Sequence, residues 1–191
     1  MSDLADAYLA GGARFIQIRS KHAASAAFLE MCADVVGRAH KAGSIVIVND
    51  RADIAALSSA DGVHVGQEDL DPASVRKILG YSAIVGISTH SPDQARAAAR
   101  LAVDYIAVGP VFGTSTKDTG YREVGTPLVA EVVDMLRTGE SMKPVVAIGG
   151  ITLDRAREVI DAGAASVAVI SDLLSTGNPE ARVKEYVRAL S

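Results

Sequence analysis

The sequence predicts an α/β protein built on a parallel barrel, and three observations carry that reading. Seven short, β-branched apolar runs alternate with amphipathic helical patterns, which implies a parallel sheet with right-handed crossovers. Each run is bounded by Gly, Asn or Asp, as buried parallel strands are. The distinctive polar residues fall just past the C-terminal ends of these runs. An open doubly wound sheet would gather only the loops near its switch point, whereas a barrel brings all of them to one face. Contributions from all seven runs favour the barrel.

The elements follow in order. The chain begins with a helix whose stripe is Leu4, Ala7 and Tyr8, ended by Gly11-Gly12. The strands are expected at Phe15–Ile18, Ile45–Val48, Gly62–Val65, Ile84–Ile87, Tyr105–Val108, Val145–Ile148 and Val167–Ile170. Phe28, Met31, Cys32, Val35, Val36 and Ala39 repeat at helical spacing, as do Val183, Tyr186, Val187 and Leu190. Asp71-Pro72, Ser91-Pro92, Thr126-Pro127 and Asn178-Pro179 each place a capping residue before proline at the first helical position. Gln94 completes a capping box with Ser91. The resulting order is α(βα)7, a TIM (βα)8-type barrel lacking its first β-strand. The length of 191 residues agrees, since such barrels run to about 250 and rarely below about 200. No linker or low-complexity tract interrupts the chain, so residues 1–191 read as a single barrel domain.

Composition narrows the function. Apolar residues make up 49% and charged residues 22%, the mix of an ordinary globular protein. A net charge of −4 lacks the basic field that nucleic-acid binders use. One cysteine excludes an internal disulfide and argues against a cysteine-based zinc site. No basic segment precedes a long apolar stretch, and no apolar run reaches the length of a membrane span. The expectation is a cytoplasmic protein whose partners are small molecules, without nucleic acid or membrane. A homo-oligomer is compatible with all of this.

The strand ends carry the chemistry. In Ala147-Ile148-Gly149-Gly150-Ile151-Thr152 a buried strand meets two glycines and then a helix, and free N–H groups at a helix start favour an anion. The next strand ends at Ile170-Ser171. Loops after the last two strands of a barrel commonly hold phosphate. The competing reading is that the glycines only relieve a tight turn. In Gln17-Ile18-Arg19-Ser20-Lys21, alternation puts Gln17, Arg19 and Lys21 on one side, and an arginine fork beside a lysine point charge suits a diphosphate. Taken alone, the pair is an ordinary solvated strand end. Asn49-Asp50 and Asp69 come from adjacent strands. The two carboxylates are either helix caps or ligands for Mg²⁺, which keeps several waters and bridges to substrate phosphates. The long polar stretch from Gly113 to Gly125 includes Thr114, Thr116 and Lys117, which can donate to phosphate oxygens. It is either a mobile lid or a plain surface loop. His64 lies within a strand and reads as a satisfied core histidine, while His22, His40 and His90 lack a sequence neighbour to pair with. Cys32 falls on a buried stripe and reads as packing. The residues thus suggest a barrel enzyme whose ligands carry two phosphate groups, one of them with Mg²⁺.

Taken together these motifs resemble the thiamine-phosphate synthase family. The resemblance spans nearly the whole chain, from Ala10-Gly11-Gly12 to the last helix. Its segments are Gln17 to Lys21, Val48-Asn49-Asp50-Arg51, Gly62 to Asp69, Gly86-Ile87-Ser88, Gly109-Pro110-Val111-Phe112, Thr114-Ser115-Thr116-Lys117 and Ala147 to Ile151. It implies a transferase that joins a hydroxymethylpyrimidine diphosphate to a thiazole phosphate, giving thiamine phosphate and pyrophosphate. It further implies that Gln17 contacts the pyrimidine, that Arg19, Lys21 and Asn49 hold the diphosphate, and that Asp50 and Asp69 bind Mg²⁺. Ser88 would sit beside the reacting centre. Thr114, Thr116, Gly150, Ile170 and Ser171 would hold the thiazole phosphate, and Lys117 would reach the diphosphate. Ile18, Ser20 and Ser115 lie within the same binding segments. Arg19, Lys21, Ser88 and Lys117 are the residues expected to act in catalysis.

Two rivals stand beside this reading. A thiazole tautomerase on the same fold typically has a histidine where this chain has Pro110, and its diphosphate and metal residues are eroded; here Arg19, Lys21, Asp50 and Asp69 are all present. A binding module that keeps the pocket without turnover is the other, motivated by the missing strand, since a gapped barrel exposes two strand edges that proteins normally avoid.

Overall fold

The protein is described from a computed structural model that places residues 2–113, 122–139 and 141–191. Seven strands, β1 (Phe15–Ile18), β2 (Ile45–Asn49), β3 (Gly62–Val65), β4 (Ile84–Thr89), β5 (Tyr105–Val108), β6 (Val145–Ile148) and β7 (Ser166–Ala168), form one sheet in sequence order, and every neighbouring pair is parallel. The helices are α1 (Ser2–Gly11), α2 (Ser25–Lys41), α3 (Ala52–Leu57), α4 (Pro72–Leu79), α5 (Pro92–Ala99), α6 (Gly125–Thr138), α7 (Leu153–Asp161) and α8 (Pro179–Leu190), with a 3₁₀ turn at Ser171–Leu174.

Strand alternation divides the apolar residues between two layers. Val46, Val48, Val63, Val65, Val85, Ile106 and Val108 point toward the helices and bury there with Phe28, Val35, Val75, Val129, Val132 and Val159. Full burial of each such side chain stabilises by about 1.5–3 kcal/mol before conformational entropy is charged against it. The other set faces inward. Asn49 pairs with His64, His64 with Gly86, and Gly86 with Tyr105, so one row of the ladder crosses four strands. Phe15 and Gln17 of β1 lie on that same side through their register with Ile45 and Ile47.

One contact shows that the sheet curls. The rings of Phe15 and Tyr105 meet edge to face with centroids 5.8 Å apart, although β1 and β5 are four ladder steps apart. A flat sheet would separate them by about 19 Å. The helices follow the curl. α8 packs on both α7 and α1, and α1 on α2, with Val183 of α8 seated against Gly11 of α1. The helical layer therefore continues past the two edges of the sheet, whereas among the described residues β1 and β7 each have a single ladder neighbour. Among the described residues no helix is long and apolar enough to cross a membrane.

Local chemistry explains most boundaries and corrects a few. Asp71 accepts from Ala73 N and Ser74 N, and Asn178 from Ala181 N, as capping requires. Ser91 Oγ accepts from Gln94 N, but Gln94 Oε1 accepts in return from His90 N, one residue earlier than a capping box predicts. The expected cap at Thr126 is not used. α6 begins at Gly125, where Val124 N and Gly125 N donate to the carbonyls of Pro110 and Val111 and so anchor its start to the loop after β5. The last strand covers Ser166–Ala168, not Val167–Ile170, because Ile170 turns out of the extended region (φ −125, ψ −78) to open the 3₁₀ turn. On α1 the apolar side chain that buries is Ala5, with Leu4, Ala7 and Tyr8 only half-buried beside it.

Candidate active site

The candidate site residues that the structure describes lie at or just past the C-terminal ends of the strands. Gln17 stands on the inner side of β1 and is exposed. Beyond Ile18 the strand stops, so the expected alternation through Lys21 ends early and a bend carries Arg19 to Lys21. Arg19 is half-buried, and its Nε is buried without a hydrogen-bond partner among the described residues. Neither Arg19 nor Lys21 pairs with a carboxylate there. Ser20 accepts from Ala23 N and shapes the bend. Ile18 packs in the layer beneath the helices, so only its backbone faces the strand end.

Asn49 ends β2, is buried, and lies beside His64 in the ladder. Asp50 follows with φ +63, a left-handed conformation uncommon outside glycine, and its N–H donates to His64 O. Asp69 sits in the loop after β3, where one carboxylate oxygen accepts from Gly66 N at 2.7 Å. The helix-cap reading of these two aspartates does not hold, because Arg51 occupies the cap position of α3 and Asp71 caps α4. Their carboxylates are hard oxygen donors of the type Mg²⁺ takes. No group of three or more His, Cys, Asp or Glu able to hold a metal occurs among the described residues, so these two would need further oxygens from elsewhere.

Ser88 lies on the inner face of β4. His64 joins it to Tyr105: His64 Nδ1 is 2.9 Å from the tyrosine oxygen and His64 Nε2 is 2.8 Å from Ser88 Oγ. The His64 and Tyr105 rings also stack, at 5.5 Å. Burial pushes the Tyr105 hydroxyl well above its ordinary pKa, so it stays a neutral phenol. Gln67, from the loop after β3, donates to the Ser88 carbonyl at 2.6 Å. The expectation of a satisfied histidine in the core is met, but one of its partners is a candidate site residue. Sequence reading missed this link, and the missing signal was the shared inner face of His64, Ser88 and Tyr105.

The far side of the rim is formed by the ends of β6 and β7. Gly149 (φ +100) and Gly150 (φ +62) both need left-handed backbone, and a Cβ on Gly150 would lie 2.4 Å from Gly113 O. Phe112 N donates to Gly149 O, and Val111 N to Ile148 O. The packing of this loop on residues 110–113 thus accounts for both glycines without a ligand. The helix behind them still presents an open start. Thr152 occupies the cap position of α7 without a capping bond, its hydroxyl donating to Asp154, whose carboxyl it holds below the usual range. Arg155 lies over the Phe112 ring, 4.4 Å from its centroid, at the same place. Ile170 and Ser171 are exposed just beyond β7. The 3₁₀ turn that bears Ser171 is held by Asp172, which accepts from Arg182, Tyr186 and Leu153 N. Thr114, Ser115, Thr116 and Lys117 lie outside the described residues. Of the residues that flank them, Gly113 N donates to Glu123.

A sequence model of the family described as thiamine monophosphate synthase matches residues 1–173. The chain belongs to the thiamine monophosphate synthase family. A relative named thiamine-phosphate synthase from Lawsonia intracellularis is 40% identical over 95% of this chain and 82% of its own length. Another of that name from Koribacter versatilis is 40% identical over 100% of this chain and 86% of its own. Among solved structures, a thiamine phosphate pyrophosphorylase from Pyrococcus furiosus superimposes with a TM-score of 0.89 at 30% identity, covering 98% of this chain and 88% of that one. The curled seven-stranded parallel sheet is therefore the TIM-like fold of the thiamine monophosphate synthase family.

Proposed function

We propose that this protein is a thiamine-phosphate synthase, a transferase that condenses 4-amino-2-methyl-5-(diphosphooxymethyl)pyrimidine with a thiazole phosphate to give thiamine phosphate and pyrophosphate. The observation that carries the reading is the near-full-length likeness to proteins bearing that name. Arg19 supports it: an arginine whose buried Nε has no partner among the described residues, beside a lysine that pairs with no carboxylate among them, suits a departing diphosphate.

In this reading the bond between the pyrimidine methylene and the diphosphate oxygen breaks first, with its electron pair leaving on pyrophosphate. The thiazole nitrogen then donates its lone pair to the methylene cation, forming the new C–N bond. Arg19, Lys21, Asn49 and Lys117 hold the diphosphate and stabilise its growing charge. Gln17 orients the pyrimidine, and Ser88 stands beside the reacting carbon. Ile18 and Ser20 set the course of the backbone between these contacts. Thr114, Ser115 and Thr116, with Gly150, Ile170, Ser171 and the open start of α7, hold the thiazole phosphate. Asp50 and Asp69 would hold Mg²⁺, which when bound supplies charge neutralisation for the pyrophosphate. The rest is positioning of two substrates and exclusion of water. A cytoplasmic place fits a single cysteine that is buried and unpaired.

The barrel reading is carried one step further here. β1–β7 would be strands two to eight of a single (βα)8-type domain, with no described strand between β7 and β1. The support is that each of these two strands has one ladder neighbour while the helices pack continuously around them.

The test is turnover. Purified protein given Mg²⁺ and both substrates should form thiamine phosphate; substrate binding without product would leave the binding-module reading instead. Asp50→Ala should lower Mg²⁺-dependent turnover by at least about tenfold, a loss that even outer-shell metal partners produce. An unchanged Mg²⁺ dependence would remove Asp50 from the metal site.

A further inference from the structure

The inner face of the sheet holds a chain of three side chains, Tyr105, His64 and Ser88, of which the roles above absorb only Ser88. Tyr105 is buried and lies over Gly86, the one residue of its ladder row with no side chain; a Cβ on Gly86 would fall 2.0 Å from the tyrosine ring. Phe15 meets the same ring edge-on from β1. The phenol is thus fixed in place, and its oxygen reaches His64 Nδ1, while His64 Nε2 reaches Ser88 Oγ.

The direction of the hydrogens follows from what each group can do. Among the described residues the phenol oxygen has one hydrogen-bond partner, His64. If Nδ1 carried the imidazole proton, the tyrosine hydrogen would be buried without an acceptor, at the cost of an unsatisfied polar group. With the tyrosine donating to Nδ1, the imidazole proton sits on Nε2 and is donated to Ser88 Oγ. Ser88 is half-buried at the strand end, so its own hydroxyl hydrogen is left to point outward, toward the rim where the strand ends converge.

We propose that Tyr105 is a positioning residue: through the Nε2–H tautomer of His64 it makes Ser88 Oγ an acceptor on its inner side and a hydrogen-bond donor toward bound substrate. The part of this that concerns substrate rests on the synthase reading of Ser88; the tautomer does not. An imidazole whose proton position is set by the group on its other nitrogen is a general device. Here it would give a hydroxyl, which can donate or accept, a single polarity before substrate arrives. A ligand atom with a lone pair would be favoured at that point over one bearing a hydrogen.

Two measurements test it. Long-range ¹H–¹⁵N correlation spectra of the ligand-free protein read imidazole tautomers directly, and the His64 signals are identified by their loss in His64→Gln. The expected result is a proton on Nε2 alone; a proton on Nδ1, with or without one on Nε2, overturns the proposal. The second measurement is kinetic. Tyr105→Phe keeps the ring and removes the donor, and should lower kcat about tenfold, the scale of one lost hydrogen bond, with KM for the thiazole phosphate unchanged. Placed in a Ser88→Ala background, the same substitution should have no further effect. Additive losses would mean that Tyr105 acts on folding or packing and would overturn the relay. If the unaltered chain made no thiamine phosphate, the synthase reading would fail while the spectra still decided the tautomer.

Discussion

Gly86 and Gly37 show how differently one residue type can behave in this chain. Gly86 gives Tyr105 its seat, so Gly86→Ala should destabilise by about 1–3 kcal/mol, the usual range for overpacking, and displace the phenol from His64. Gly37 lies in α2 with nothing near a Cβ built on it, and Gly37→Ala should stabilise by about 1 kcal/mol through helix propensity alone. Denaturant unfolding of the two variants checks both; equal effects would mean that the Tyr105 seat can relax. At this scale the position of Arg19, Asp50 and Ser88 at or just past a strand end was readable, because each strand run encodes its own end. What was not readable is which side chain stands opposite. His64 and Tyr105 are 41 residues apart, and they meet only because two ladder steps and an intervening glycine bring their side chains together.

At the scale of elements, strands β1 to β6 and the capped helices were legible because β-branched runs and Asp-Pro, Ser-Pro and Asn-Pro pairs each encode their own boundary. The exceptions have tertiary causes. α6 starts where the carbonyls of Pro110 and Val111 take its first N–H groups, and β7 ends where the chain must turn into Ser171–Leu174. That turn depends on Asp172, whose side chain is 10% exposed and pairs with Arg182 at 2.9 Å while also accepting from the Tyr186 hydroxyl at 2.6 Å. Asp172→Ala strips both partners at once. It should cost about 3 kcal/mol, the lower end of the range for breaking a buried pair, because Arg182 keeps Glu185. A thermal melt reads this directly. If the melting temperature holds and only the affinity for thiazole phosphate falls, the turn has another support and Asp172 serves the site alone.

Across the whole molecule the helices and the strands close differently. α8, α1 and α2 pack in succession around the outside, while among the described residues the backbone hydrogen-bond ladder runs from β1 to β7. Phe15 at one edge is 48% exposed, and Ile170, just past the other, is 50% exposed. Any water that reaches the inner face, through the rim or past these two residues, has a route to the substrates. For the proposed reaction that route sets a chemical branching ratio. A methylene cation captured by the thiazole nitrogen becomes thiamine phosphate; one captured by water loses a proton and becomes the free pyrimidine alcohol. The fraction of pyrimidine diphosphate that ends as alcohol should rise as the thiazole phosphate is lowered, and should fall when bulkier side chains replace Ser166 or Ala168 on the inner side of β7. Quantifying both products in one assay would make leakage, instead of rate, the measure of how well the ring is sealed.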